Sequence, residues 1–195
     1  RLSSLASYEG YYMKPRMDRE LMGQYPGGII ASTGCPSGEV QTRLRLGQFE
    51  EACQAASDYR DIFGRENYFC ELMDHGVPIE KQVRSDLLKL AKKLDIPLLV
   101  TNDSHYVTED QADAHDSLLC VGVGRNKDDP NRFRFNGSGY YIKSSEQMRA
   151  LFPDHPEACD NTLLLTEMIG SYDEVFKYVD RMPVSYTHLT LPTIY

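Results

Sequence analysis

The strongest constraint in this sequence is an alternation, between residues 28 and 107, of short apolar runs with longer segments of helical period. Three of the runs have the length and composition of buried strands; they cover residues 28–33, 67–73 and 96–101. Strands that alternate with helices form parallel sheets, because the helix returns the chain to the start of the next strand. The alternation therefore predicts βα units in an α/β fold.

Helix signals fill the segments between and after these runs. Residues 79–94 repeat apolar side chains at spacings of three and four and keep Lys and Arg outside, which predicts one buried stripe against the sheet. Residues 37–46 follow Pro36 and carry Glu39 in the opening turn, where a carboxylate suits the helix dipole. The other predicted helices cover residues 49–63, 110–121, 144–152 and 158–169.

The order of these elements predicts four stretches. A helical lead-in (1–27) precedes the βα units (28–107), and a mostly helical closing segment (108–184) includes loop and strand pieces at residues 128–141. The last residues, 185–195, are rich in Thr, lack Asp, Glu, Lys and Arg, and resemble translated adaptor sequence. We therefore expect this tail to lie outside the fold.

Composition narrows the class of protein. The chain has 195 residues, 41% of them hydrophobic, which is enough for a buried core, and no apolar run reaches the roughly 18 residues of a membrane span. The N-terminus lacks the apolar stretch of a signal peptide, so we expect a soluble cytoplasmic protein. Five scattered cysteines without a C-x-x-C pair predict reduced thiols, and neither a disulfide framework nor a structural zinc site.

The net charge of −8 argues against direct binding of nucleic acid, since affinity for phosphates depends on Lys and Arg. If the substrate is DNA, metal ions or another domain must supply positive charge. No glycine pattern of the phosphate-binding type occurs. Residues 132–135 (RFRF) could stack on a nucleic-acid strand, but we favour an amphipathic hairpin with Phe packed inward and Arg facing water.

In parallel α/β folds, reactive groups collect at the carboxyl ends of the strands. Asp103 and His105 follow the third apolar run, and a carboxylate and an imidazole two positions apart are natural ligands of zinc or manganese. The alternative is an Asp that caps the next segment and a His bonded to a backbone carbonyl. Their position after an apolar strand favours the metal site.

Cys35 lies in the tight turn after the first run, where a thiolate near a helix N-terminus could act as a ligand or a nucleophile. On pattern alone we favour a small buried hydrophobic residue, which is the commoner role of a lone cysteine. Glu71, Asp74 and His75 lie at the end of the second run and could extend a site, but structural roles are favoured for these three.

Three segments resemble a known family in their amino-acid sequences as well as in their hydrophobic periodicity. Residues 32–40 (STGCPSGEV), 67–76 (NYFCELMDHG) and 101–107 (TNDSHYV) resemble, in order and spacing, motifs of the PHP domain of the bacterial DNA polymerase III alpha subunit. Residues 11–18 (YYMKPRMD) and 131–143 (NRFRFNGSGYYIK) are similar to the same family, so that the resemblance covers residues 8–183.

The resemblance implies the C-terminal part of a distorted, TIM-like, seven-stranded βα barrel, followed by a small mostly helical extension. In complete members the barrel holds zinc or manganese ions and acts as a 3′-5′ proofreading exonuclease. By position, the resemblance makes Cys35, Asp103 and His105 metal ligands, with Cys35 a ligand and not a nucleophile. It also implies a polymerase that acts on DNA with magnesium, and a sliding clamp and a proofreading subunit as partners.

In the family, the opening His-x-His motif would lie upstream of Arg1. The acidic residues of the polymerase palm would lie downstream of Tyr195. We therefore expect part of a metal site, no polymerase site, and an inactive chain in isolation. Two alternatives stay open. One is a stand-alone PHP phosphoesterase for a small molecule such as histidinol phosphate, against which the segment after residue 108 speaks. The other is a metal-free structural module that braces the polymerase and docks a partner.

Removal of residues 185–195 should leave the thermal unfolding midpoint unchanged, because their composition places them outside the core. Differential scanning calorimetry of the complete and shortened chains measures this. A clear fall of the midpoint in the shortened chain would show that the tail is a native part of the fold.

Overall fold

The computed structural model describes residues 1–170; the predicted tail (185–195) and the end of the predicted closing segment (171–184) lie outside the described residues. The helices are α1 (Leu2–Tyr8), α2 (Arg19–Gln24), α3 (Glu39–Arg45), α4 (Phe49–Phe63), α5 (Pro78–Leu94), α6 (Ala112–Val123), α7 (Ser145–Leu151) and α8 (Pro156–Ile169). The strands are β1 (Ala31–Ser32), β2 (Tyr68–Leu72) and β3 (Leu98–Val100). Two short 3₁₀ helices cover Arg65–Asn67 and Glu109–Gln111.

β2 is the central strand of the sheet and pairs in parallel with β1 on one side and β3 on the other. In the register of these pairs, Ala31 lies opposite Tyr68, and Cys70 opposite Leu98. Every residue of β2 is buried, as expected for the central strand of a parallel sheet. The predicted parallel α/β arrangement is confirmed, and within residues 1–170 the sheet has three strands and does not close into a barrel.

Each strand is shorter than the apolar run that predicted it. Gly28 has a φ of 75°, in the left-handed region, and β1 starts only at Ala31. Asn67 belongs to a 3₁₀ helix, where its side-chain amide donates to a carbonyl at the end of α4. Ile96 donates its backbone N–H to the carbonyl of Ala91 at 2.9 Å, so it belongs to the turn that follows α5. Local turn geometry therefore makes each strand begin later than hydrophobicity alone suggests.

α5 begins and ends as its sequence indicates. Pro78 occupies the first turn, and Asp95 ends the helix in the left-handed region with a φ of 53°. The predicted buried stripe is confirmed at Val83, Leu87, Leu90 and Ala91. Ile79 and Leu94 are only half-buried, whereas the charged residue Glu80 is buried.

The main core lies between the sheet and helices α3, α4 and α5. Tyr68, Cys70 and Leu72 extend from β2 into it, and Leu90 of α5 joins them with no exposed surface. α8 covers β3, where the side chain of Asn161 donates to a strand carbonyl at 2.7 Å. Helices α4 and α5 therefore pack on β2, and α8 packs on β3.

A cavity of about 700 Å³ lies on the other face of the sheet, next to the end of α8. The buried carboxylate of Glu71 lines this cavity and accepts hydrogen bonds from the hydroxyls of Ser32 and Thr101, the latter at 2.5 Å. Hydroxyls from the two neighbouring chain segments thus satisfy a carboxylate in the central strand.

The five cysteines are all free thiols, as predicted; Cys35 is exposed and the other four are buried. Among residues 1–170, no helix combines the length and the apolar character that a membrane span requires.

Leu90→Ala should lower the free energy of unfolding by about 2–5 kcal/mol, because it removes a fully buried side chain and leaves a cavity. Lys92→Ala, on the exposed side of the same helix, is the matched control and should change the free energy by less than about 0.5 kcal/mol. Urea unfolding followed by circular dichroism measures both. Equal losses in the two variants would contradict the assignment of Leu90 to the core.

Candidate functional site

Three loops leave the carboxyl edge of the sheet, one after each strand. The loop after β1 carries Cys35, the loop after β2 carries Asp74 and His75, and the loop after β3 carries Asp103 and His105. All three leave the same edge because the strands are parallel and adjacent. Since β2 is central, its loop lies between the other two.

The loop that carries Asp103 and His105 is held by contacts from outside β3. The backbone N–H of Asp103 donates to Nε2 of His75 at 3.2 Å. The backbone N–H of His105 donates to the carbonyl of Tyr140 at 2.7 Å. The loop after β3 is therefore tied both to the loop after β2 and to the segment around Tyr140.

Both ligand-type side chains of this loop are accessible. Nδ1 of His105 lies 2.9 Å from the carbonyl oxygen of Asp103 and 3.7 Å from its Oδ1. The carbonyl contact assigns a proton to Nδ1, which leaves a free lone pair on Nε2. Within residues 1–170, neither Nε2 of His105 nor the carboxylate of Asp103 takes part in a hydrogen bond. Histidines that bind metals commonly donate their second N–H to a carbonyl, so the pair fits a metal.

Aromatic rings surround His105. Its ring centroid lies 4.6 Å from that of Phe135, 5.4 Å from that of His115 and 5.8 Å from that of Tyr140. These contacts restrict rotation of the imidazole. His115 could not be predicted from the sequence, because it lies on α6 without any local motif and only the packing of that helix brings it near His105.

His75, in the loop after β2, is buried and paired with Glu80. Nδ1 of His75 lies 2.6 Å from Oε1 of Glu80, and its backbone N–H donates to Oε2 at 2.7 Å. The ring of Tyr140 stacks on the imidazole with centroids 4.3 Å apart and planes 6° apart. Burial raises the pKa of Glu80, but the hydrogen bonds from His75 outweigh it and hold the pKa below its ordinary value.

The carboxylate of Asp74 is paired with α5. It accepts from Arg84 at 2.7 Å and from the backbone N–H of Gly76 at 2.9 Å. Burial raises the pKa of Asp74, but these hydrogen bonds lower it below its ordinary value. Asp74, His75 and Glu71 therefore make structural contacts, which are the roles that the sequence analysis favoured for them.

Cys35 is exposed, so the interpretation of this residue as a small buried hydrophobe is wrong. The reason is the turn that carries it. Gly34 has a φ of 72°, and a Cβ at Gly38 would come within 2.8 Å of the carbonyl oxygen of Thr33. The buried side chain of Gln41 donates to the carbonyl of Gly34 and holds the turn from behind. The thiol is left on the solvent side.

The three predicted ligands share the carboxyl edge, but only Asp103 and His105 contact each other. Within the part of the chain that the structure describes, no three or more His, Cys, Asp or Glu side chains are grouped so that they could hold a metal ion. The ligand role of Cys35, Asp103 and His105 stays a prediction.

Residues 132–135 do not form the predicted hairpin. The Arg132 side chain is only 4% exposed, and its guanidinium donates to both carboxylate oxygens of Asp116, each at 2.6 Å. Phe133 is 59% exposed, whereas Phe135 packs on His105. The prediction of inward Phe and outward Arg is wrong at positions 132 and 133, because a bidentate ion pair satisfies the guanidinium where it is covered.

Residues 1–75 match the PHP domain family, so Cys35 lies inside the matched region and Asp103 and His105 lie beyond it. The chain is 62% identical over 183 residues to the DNA polymerase III subunit alpha of Saccharopolyspora erythraea, an alignment that covers 93% of this chain and 15% of that protein. The chain belongs to the DNA polymerase III alpha-subunit family. The predicted resemblance is confirmed.

Two further alpha subunits match over most of the chain. That of Mycobacterium tuberculosis is 56% identical over 186 residues, covering 94% of this chain and 16% of that protein. That of Treponema pallidum is 45% identical over 166 residues, covering 85% of this chain and 14% of that protein. The chain spans about 15% of the length of the curated alpha subunits that it matches.

Glu80→Gln in this chain should weaken the acid dependence of its stability. The pKa of Glu80 is lower in the folded than in the unfolded state, so its carboxylate stabilises the fold above the ordinary value of 4.5. That stabilisation is lost as the pH falls through the folded pKa. The Gln variant should be less stable near neutral pH and should lose less stability on acidification.

Urea unfolding at a series of pH values measures this difference. Glu109→Gln, which changes an exposed glutamate, is the matched control and should keep the pH profile of the unsubstituted chain. A pH profile that Glu80→Gln leaves unchanged would rule out a stabilising role for the buried carboxylate.

Proposed function

We propose that this alpha-subunit segment carries part of a divalent-metal site, which serves a metal-dependent 3′-5′ exonuclease in a replicative DNA polymerase. The observation that carries the proposal is the Asp103–His105 pair, since a free carboxylate and a free imidazole nitrogen lie together at the carboxyl edge of a parallel sheet. The similarity to alpha subunits supports the choice of enzyme.

Asp103, His105 and Cys35 would hold the metal ions. Oxygen, nitrogen and sulfur ligands suit zinc, and the carboxylate and imidazole also suit manganese. When bound, such ions supply an activated water and neutralise charge on a scissile phosphate. The part of this chain is to present Nε2 of His105 and the carboxylate of Asp103 in a fixed orientation. By holding cations, these residues would also offset the net charge of −8 towards DNA.

The proposed architecture extends the three-stranded sheet to a distorted seven-stranded βα barrel. Two features support it: the strands are parallel with helices packed on one face, and a cavity of about 700 Å³ lies on the other face. The proposed division is a helical lead-in (1–27), βα units (28–107), a closing segment that leads towards the polymerase palm (108–184) and a non-native tail (185–195).

The proposed whole protein synthesises DNA with magnesium at a separate polymerase site and works in the cytoplasm. Its proposed partners are DNA and other replisome subunits, including a sliding clamp and a proofreading subunit. The support is that relatives named DNA polymerase III subunit alpha match over most of the chain. The same matches leave a stand-alone small-molecule phosphoesterase with less support.

A second candidate function is that of a metal-free module that braces the polymerase and docks another subunit. α6 supplies a specific observation in its favour. Leu118 and Val121 on this helix are 66% and 79% exposed, and within residues 1–170 nothing covers them. The two candidates differ in what they require of Asp103, because only a metal site needs its charge.

Asp103→Asn, in a full-length alpha subunit that carries this segment, should lower the rate of mismatch excision by at least about 10–100-fold, or roughly 1.4–2.7 kcal/mol of activation free energy. The substitution keeps the size of the side chain and removes the charge that a divalent cation requires. Primer extension should be unchanged, because it uses another site. The two reactions are measured on the same preparation, with removal of a mismatched 3′ end scored separately from extension.

Asp110→Asn is the matched control, since Asp110 is an exposed aspartate in the 3₁₀ helix that follows, and it should keep both activities. Normal excision by the Asp103→Asn protein would favour the metal-free module. Loss of both activities would instead indicate a folding defect, which a lowered thermal midpoint would verify.

A further inference from the structure

Both ring nitrogens of His75 take part in hydrogen bonds. Nδ1 lies 2.6 Å from Oε1 of Glu80, and Nε2 lies 3.2 Å from the backbone nitrogen of Asp103. A backbone N–H can only donate, so Nε2 must accept, and the ring proton lies on Nδ1, where the carboxylate of Glu80 accepts it. The geometry therefore selects one tautomer of the imidazole. It also leaves His75 without a nitrogen that could bind a metal.

Packing fixes the His75 ring in this position. The side chain is 1% exposed, and the ring of Tyr140 stacks on it with nearly parallel planes. The second oxygen of Glu80 accepts the backbone N–H of His75, so one carboxylate holds both the ring and the backbone of this residue. Gly139 lies against the same backbone, since a Cβ at this position would be 2.9 Å from Cα of His75. The ring cannot turn without displacing these neighbours.

The sheet itself does not fix the backbone of Asp103. The last hydrogen bond from this part of the chain to β2 is that of the Thr101 N–H, and Asp103 lies beyond it. Its N–H is held by His75, and its carbonyl accepts Nδ1–H of His105 at 2.9 Å. Rotation about the N–Cα bond of Asp103 would move the carboxylate and this carbonyl relative to the held N–H, and would release the imidazole of His105.

We propose that His75 is a positioning residue for the Asp103–His105 pair: by accepting the N–H of Asp103 it orients the Asp103 carboxylate and, through the Asp103 carbonyl, Nε2 of His105. The inference rests on the proposed metal site and deepens it, because it assigns a role to a buried residue that holds no metal. The ligand concerned is a divalent cation at the carboxyl edge.

Two substitutions of His75 separate its two contacts. The amide of His75→Gln reaches the former place of Nε2 and can still accept the N–H of Asp103. The amide of His75→Asn reaches only the former place of Nδ1, so it can donate to Glu80 but cannot reach Asp103. Both variants lose the stacked imidazole, and both should show a similar fall of the thermal midpoint. Since His75→Gln loses the contact to Glu80 and keeps the contact to Asp103, a larger effect in His75→Asn reports on the contact to Asp103 and not on general stability.

The test uses a full-length alpha subunit that carries this segment, with two measurements. Hydrogen exchange, followed by mass spectrometry, reports on peptides that cover residues 101–106. Titration with Mn²⁺, followed by the electron paramagnetic resonance signal of free Mn²⁺, reports on metal binding. Only the Mn²⁺ binding that Asp103→Asn removes is assigned to this site.

His75→Asn should exchange about tenfold faster in these peptides and should bind Mn²⁺ about 10–100-fold more weakly at this site. His75→Gln should stay close to the unsubstituted protein in both measurements. Equal exchange and equal affinity in the two variants would overturn the proposal. If the unsubstituted protein has no Mn²⁺ binding that depends on Asp103, the proposed metal site fails, and the exchange comparison alone then decides whether His75 holds Asp103.

Discussion

The parallel pairing of β2 with a strand on each side is the constraint on which the candidate site depends. β2 is buried along its whole length, and the hydroxyls of Ser32 and Thr101 satisfy its one carboxylate, so the three strands hold together through polar as well as apolar contacts. Because the strands run in one direction, the loops that carry Cys35, His75 and Asp103 must leave the same edge. The common direction of the strands thus brings residues that lie far apart in the sequence to one edge of the sheet.

Behind the carboxyl edge, a buried polar side chain supports each loop. Gln41 bonds to the loop after β1, Glu80 to the loop after β2 and His75 to the loop after β3. Leaving a buried polar group without a partner costs about 1–3 kcal/mol, so each loop is favoured over alternatives by an energy of that order. The candidate metal ligands Cys35, Asp103 and His105 are exposed. The buried side chains therefore support the loops, and the exposed side chains remain accessible to a ligand.

Much of the fold could be predicted from the sequence, because periodicity reflects which side of an element is covered. The order of helices and strands and the stripe of α5 followed from it, and position after a strand located Asp103 and His105. Contacts made by residues from distant parts of the chain could not be predicted. In the sequence, Glu80 looks like an ordinary acidic residue of a first helical turn, and only the fold brings His75 to it. Arg132 looks like a solvent-facing cation, and only the fold brings Asp116 to it. His115 has no local signal at all.

The segment around Tyr140 has a consequence for how the molecule is made. The carbonyl of Tyr141 accepts a hydrogen bond from Asn102, 39 positions earlier in the sequence, and that of Tyr140 accepts the N–H of His105. These contacts can form only after the chain has reached residue 141. A shorter nascent chain therefore lacks the carbonyls that accept from Asn102 and His105, and one side of the loop after β3 is not yet held.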